Sequence, residues 1–270
     1  MSGRLVGARR RPDVLVLCYH GVSATWPEPV AVHPGKLRRQ VARLLRLGWH
    51  PATFSEAVTA PPAAHTLAVT FDDALLSVLR LALPVLRELD VPATVFAPSG
   101  FVDAGGPFAW PGVEHWLGTA HEHELAGMSW DELAGLRDEG WEIGSHAVSH
   151  PRLSGLDDAR LEAELRDSKQ AIAARLGECR SLAYPYSDVD ARVVAAARAA
   201  GYEAGAVVLP ARHGGDPLSF PRVPMLGAEG DIAHRVHVSR GMRRLQATRP
   251  WPTVQRAASA WRRPGTRRSR

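Results

Sequence analysis

Thr70-Phe71-Asp72-Asp73 sets two adjacent carboxylates at the end of the apolar run Leu67–Phe71. Like charges side by side repel and burial penalises both, so the pair is costly at a strand end unless something uses it. A divalent cation removes that cost. Because side chains alternate along a strand, one aspartate can face an ion while its neighbour faces another part of the same cleft. The plainer alternative is a turn or capping pair, as Asp157-Asp158 reads. The carboxyl end of a buried strand, however, is where α/β folds keep their chemistry. Ser145-His146-Ala147-Val148-Ser149-His150 holds the only histidines in the chain at i, i+4 spacing. One helical turn after a strand would carry both imidazoles to one side, and Pro151 discourages that helix from continuing. Two imidazoles and one carboxylate leave open positions for water and substrate, as a catalytic zinc site requires.

The segments that must position these groups alternate between apolar β-branched runs and helical patterns, which argues for parallel strands joined by crossover helices. Val14–Cys18, Leu67–Phe71, Ala93–Ala97, Trp141–Gly144 and Val207–Leu209 read as strands. Leu37, Val41, Leu44 and Leu45 share one face of a helix from Pro34 to Leu47 that stops at Gly48. Residues 74–89 read as helical despite Pro84. Ser129 with Glu132 makes a capping box for a helix ending near Gly140. Asp157–Leu176 is a long helix closed by Gly177, and Asp188 is placed to cap another running to Gly201. The stretch 101–128, rich in Gly, Trp and His, reads either as a lid over a cleft or as a surface insertion. Beyond Pro224 no element is legible.

At 270 residues and 45% hydrophobic composition, the chain is the size of a single α/β barrel. Cys18 and Cys179 are too few for a disulfide framework and form no CxxC, which favours a reducing compartment. Val14–Cys18 is shorter than a signal-peptide core and nothing approaches a membrane span, so a cytoplasmic protein is expected. The net charge of +5 is uneven: residues 235–270 hold 11 arginines and no acid, leaving 22 basic against 28 acidic residues elsewhere. The chain is therefore divided into an N-terminal arm, 1–12, a catalytic domain, 13–234, and a basic tail, 235–270. That tail reads as a solvated end, with Trp251 and Trp261 suggesting membrane-surface contact as the alternative. A nucleic-acid partner is not expected, because only the tail has the charge for one.

The segments 70–73 and 145–150 together resemble the polysaccharide deacetylase family, the NodB-like carbohydrate esterases of family 4, and the resemblance runs from about Val14 to Val223. It implies an irregular (β/α) barrel of seven strands. It also implies that Asp72 is the catalytic base and that Asp73, His146 and His150 bind the metal. Ala183-Tyr184-Pro185-Tyr186-Ser187 is similar to a third family motif, in which the backbone N–H of Tyr186 would bind the oxyanion. Many members carry Arg where this chain has Ala183, bracing the aspartate, and Gly at the positions of Ala74 and Ser187. Arg222, within Phe220–Pro224, could substitute for the brace or form a structural ion pair. The late histidine that serves most relatives as general acid has no counterpart. Tyr19-His20 resembles the YH segment of circularly rearranged members, which makes His20 the expected acid.

The expected activity is metal-dependent removal of N-acetyl groups from an amino-sugar glycan or glycan precursor, with release of acetate. Zinc is the default by ligand type, and cobalt, nickel or manganese also suit an Asp-His-His site. An amidase of a small N-acyl metabolite would use the same residues in a different cleft. A glycan-binding pseudoenzyme would keep the fold without turnover. Trp110 and Trp116 are candidate sugar-stacking faces.

Overall fold

The structure is a computed structural model and describes residues 12–60, 64–208 and 215–247. Its strands are β1 (Asp13–Tyr19), β2 (Gly21–Val22), β3 (Ala31–Val32), β4 (His50–Ala52), β5 (His65–Asp72), β6 (Ala93–Ala97), β7 (Glu142–Ser145), β8 (Ser181–Ala183), β9 (Ala204–Val208) and β10 (Phe220–Pro224). Parallel pairing runs β1-β10-β9-β8-β7-β6-β5 and closes where β5 pairs again with β1, from Asp13↔His65 to Tyr19↔Phe71. This is the expected closed (β/α) barrel of seven strands, with β4 added on β5 and a small β2–β3 sheet above.

Helices α1 (Pro34–Arg46), α2 (Phe54–Thr59), α3 (Leu83–Glu88), α4 (Trp130–Asp138), α5 (Asp158–Leu176) and α6 (Ala191–Ala199) connect the strands. Leu15, Leu17 and Tyr19 pack outward in one core with Leu37, Val41 and Leu44 of α1. Val16 meets Ala68, Phe96, Ala183, Ala204 and Ala206 instead, residues of four other strands that can come together only inside the barrel. The alternation of β1 thus assigns Leu17 to the helical shell and its neighbours to the lumen. Small lumen residues leave room there for the rings of Phe54 and Phe96, 5.5 Å apart.

Several expectations need correction. The helix within 74–89 begins as a wide turn over Val78–Ala82 before α3, with Pro84 in its first turn. Asp190 caps α6 by accepting from Val193 N, whereas Asp188 accepts from Ser154. β8 is too short for periodicity to reveal, and β10 carries Pro221 and Pro224, which remove strand donors and read as turns. Beyond Pro224 the chain continues through α7 (Asp231–His237) and α8 (Arg240–Ala247), where Arg243 donates to Val14 O and pairs with Asp13. The remainder of the segment read as a tail, with Trp251 and Trp261, lies outside the described residues. Among those described, no helix is long and apolar enough to cross a membrane.

Candidate active site

The carboxyl ends of the barrel strands bring the expected residues together. Asp72 closes β5 and Asp73 follows it at φ 73°, in the left-handed region, which turns the second carboxylate away from the first. Asp73 Oδ1 then lies 3.5 Å from His146 Nε2 and 3.4 Å from His150 Nε2.

The loop carrying the two histidines is not the helical turn that their spacing suggests. Ala147 and His150 have φ of 61° and 56°, so the segment doubles back without α-helical bonding. Glu164 of α5 holds it, accepting from Val148 N at 2.8 Å and Ser149 N at 2.9 Å, and Ser145 Oγ accepts from Ala147 N. Gly100 N donates to Val148 O, and a Cβ on Gly100 would stand 2.8 Å from that oxygen, so only glycine fits. His146 Nδ1–H donates to Ala183 O at 2.7 Å, which leaves the Nε2 lone pair facing Asp73. Phe108, Trp110 and Tyr186 pack around His150, with ring centroids 5.5, 5.9 and 4.7 Å away.

This donor set fits a divalent cation. Asp73 Oδ1 is buried without a hydrogen-bond partner, and burial followed by the charge of Asp72 pushes the Asp73 carboxyl well above its usual range. A cation would relieve both effects. Burial lowers the proton affinity of His146 and of His150, which favours the neutral form that coordinates a metal.

Asp72 has the opposite environment. Burial opposes its charge, but the Arg222 guanidinium overrides that and holds the carboxyl below the usual range. Arg222 is fully buried and bidentate, with Nη1 2.7 Å from Oδ1 and Nη2 2.8 Å from Oδ2. Nη1 also donates to Thr70 Oγ1, whose hydroxyl donates to Leu17 O. The lumen position 183 is filled by alanine, and the arginine lies over Phe96 from β10 instead. Cys18 lies 3.5 Å from Asp72 Oδ2, and His20 Nε2 lies 4.0 Å from the same oxygen with its side chain 25% exposed.

Tyr186 sits at φ 57° in a tight turn after Pro185, followed by Ser187 at φ 52°. Ser187 N donates to Tyr184 O, and Ser187 Oγ accepts from Val208 N. The stretch 101–128 is neither a loose flap nor a detached insertion. Phe108, Trp110, Val113 and Leu125 form a core of their own with Trp26 and Leu75, and Leu75↔Gly127 bridges it to the barrel rim. Trp110 is thereby buried in the wall, while Trp116 is half-buried and donates to Glu28. Nothing local in the sequence distinguishes Glu164 from the other acids of its helix.

The sequence pattern described as "Polysaccharide deacetylase" matches residues 59–205, more than half of the chain. The chain belongs to the polysaccharide deacetylase family. A curated relative, "Putative polysaccharide deacetylase YxkH" of Bacillus subtilis (strain 168), is 26% identical over 182 residues, covering 67% of this chain and 54% of its own. The chain thus spans about half the length of that relative. Among solved structures, Streptococcus pyogenes deacetylase PplD in complex with acetate superposes with a TM-score of 0.66 at 20% identity, over 88% of this chain and 98% of its own. IcaB from Ammonifex degensii gives 0.67 at 21% identity, over 85% and 97%. At these identities the two structures establish the fold.

Proposed function

We propose that this chain is a metal-dependent deacetylase that removes N-acetyl groups from an amino-sugar glycan or glycan precursor, releasing acetate. The observation that carries the reading is the buried, unpartnered Asp73 Oδ1 facing two imidazole nitrogens, beside a second aspartate held charged by Arg222. Asp73, His146 and His150 would hold the ion, with zinc first by ligand type and cobalt, nickel or manganese also compatible. When bound, a divalent cation supplies Lewis acidity toward an amide carbonyl and acidifies water, for zinc to a pKa of about 7.

Asp72 accepts the proton of the attacking water, and Arg222 fixes the direction of its carboxylate. The backbone N–H of Tyr186 donates to the oxygen that gains charge as the carbonyl carbon becomes tetrahedral, a contribution of about 3 kcal/mol for one well-aimed donor. His20, at the mouth of β1, gives its proton to the departing amine nitrogen. Free amine and acetate then leave. Phe108 and Trp110 exclude water from the His150 side of the cleft.

Acetate release measured over N-acetylated oligosaccharides, nucleotide sugars and small N-acyl metabolites, with and without chelator, tests the reading. Chelator-sensitive release from the sugars is expected. Release confined to small N-acyl metabolites would overturn the glycan assignment. The basic segment 235–270 suits an anionic membrane surface, and vesicle co-sedimentation of the chain with and without residues 248–270 tests that contact.

A further inference from the structure

Tyr186 stands between His150 and a guanidinium. Arg152 Cζ lies 4.4 Å from the centroid of the Tyr186 ring, which also packs against His150 with ring centroids 4.7 Å apart and planes tilted by 60°. Arg152 itself is exposed. Arg152 has no carboxylate partner among the described residues. The nearby acids are already engaged, Glu164 by the Val148 and Ser149 amides and Asp188 by Ser154. The cation–π contact with Tyr186 holds the guanidinium beside the site.

We propose that Arg152 is a specificity-determining residue that binds an anionic substituent, a phosphate or carboxylate, on the sugar next to the N-acetyl group being removed. The proposal rests on the deacetylase reading above and narrows its substrate to anionic glycans. A planar fork with five donors matches a phosphate or carboxylate bidentately, whereas a neutral sugar hydroxyl can use one donor at a time. The contact series His150–Tyr186–Arg152 sets the charge one ring away from the candidate metal ligands, so that an acetamido group at the site and an anion on its neighbour are read together.

The test compares acetate release from N-acetylglucosamine oligosaccharides with and without a phosphate or carboxylate on the adjacent residue, for wild type, Arg152→Ala and Arg152→Lys. Wild type is expected to prefer the anionic series, and Arg152→Ala to lose about tenfold in kcat/KM on that series through KM, with the neutral series changed less than about twofold. Arg152→Lys should recover part of the loss, since the charge stays and the fork does not. Added salt should weaken the wild-type preference and leave Arg152→Ala indifferent. Equal losses on both series, or no preference in wild type, would overturn the proposal while leaving the deacetylase reading intact. Calorimetric titration of the anionic oligosaccharide into metal-free protein separates the two in the other direction. Binding lost in Arg152→Ala without acetate release from any glycan would uphold the anion site and sink the activity.

Discussion

Arg222 bridges both oxygens of Asp72 from the opposite side of the barrel seam, 150 residues away in sequence, at 2.7 and 2.8 Å. A buried arginine needs such a partner, and a buried aspartate that must stay charged needs such a cation. The pair therefore fixes both the orientation and the protonation of the proposed base. Arg222→Lys keeps the charge but cannot span both oxygens. Losing one charged hydrogen bond raises the Asp72 pKa, so the acid limb of kcat/KM should move to higher pH, by about one unit. A pH–rate profile checks the direction. Arg222→Met leaves the carboxylate buried and unpaired, and denaturant unfolding should show a loss of about 3–5 kcal/mol.

Glu164 supports the loop between His146 and His150 through Val148 N and Ser149 N, not through the imidazole nitrogens. Glu164→Ala strands the N–H groups of Val148 and Ser149 and loosens the segment between the two histidines. Metal affinity, measured by competition with a chromophoric chelator, should fall about 10–100-fold.

His20→Gln removes the proposed acid and leaves the strand that carries it. Turnover of substrates with a poor amine leaving group should fall at least about 100-fold, and activated anilide substrates should lose much less. Equal losses on both would show that His20 serves packing rather than proton transfer.

Ala74 and Ser187 stand at φ of 50° and 52°, where relatives in the resemblance carry glycine. Strain at such positions is about 1–2 kcal/mol per residue. Ser187 Oγ offsets its share by accepting from Val208 N, a bond Ala74 has no means to make. Thermal unfolding should therefore rank Ala74→Gly as the more stable of the two glycine variants.

The strand-end carboxylates and the histidine pair were legible because strand alternation and i, i+4 spacing are local, and Ser129 and Asp157 marked their helices through local caps. What stayed hidden depends on closure. Arg222 lies in a strand interrupted by prolines, and its partner becomes visible only once β10 is placed between β9 and β1. The histidine spacing pointed to two residues that both face Asp73, but through a different local structure, since a left-handed Ala147 and the bonds to Glu164 replace the helical turn. Asp188 reads as a cap in sequence because its bond to Ser154 spans 34 residues.

The paired variants Asp72→Asn and Asp73→Asn test the central claim most directly, with bound metal and acetate release measured on the same samples. Asp73→Asn should lose the ion, and Asp72→Asn should keep one ion per chain while turnover falls by at least about 100-fold. Near-normal turnover in Asp72→Asn, or undiminished metal binding and activity in Asp73→Asn, would contradict the division of labour between the two aspartates.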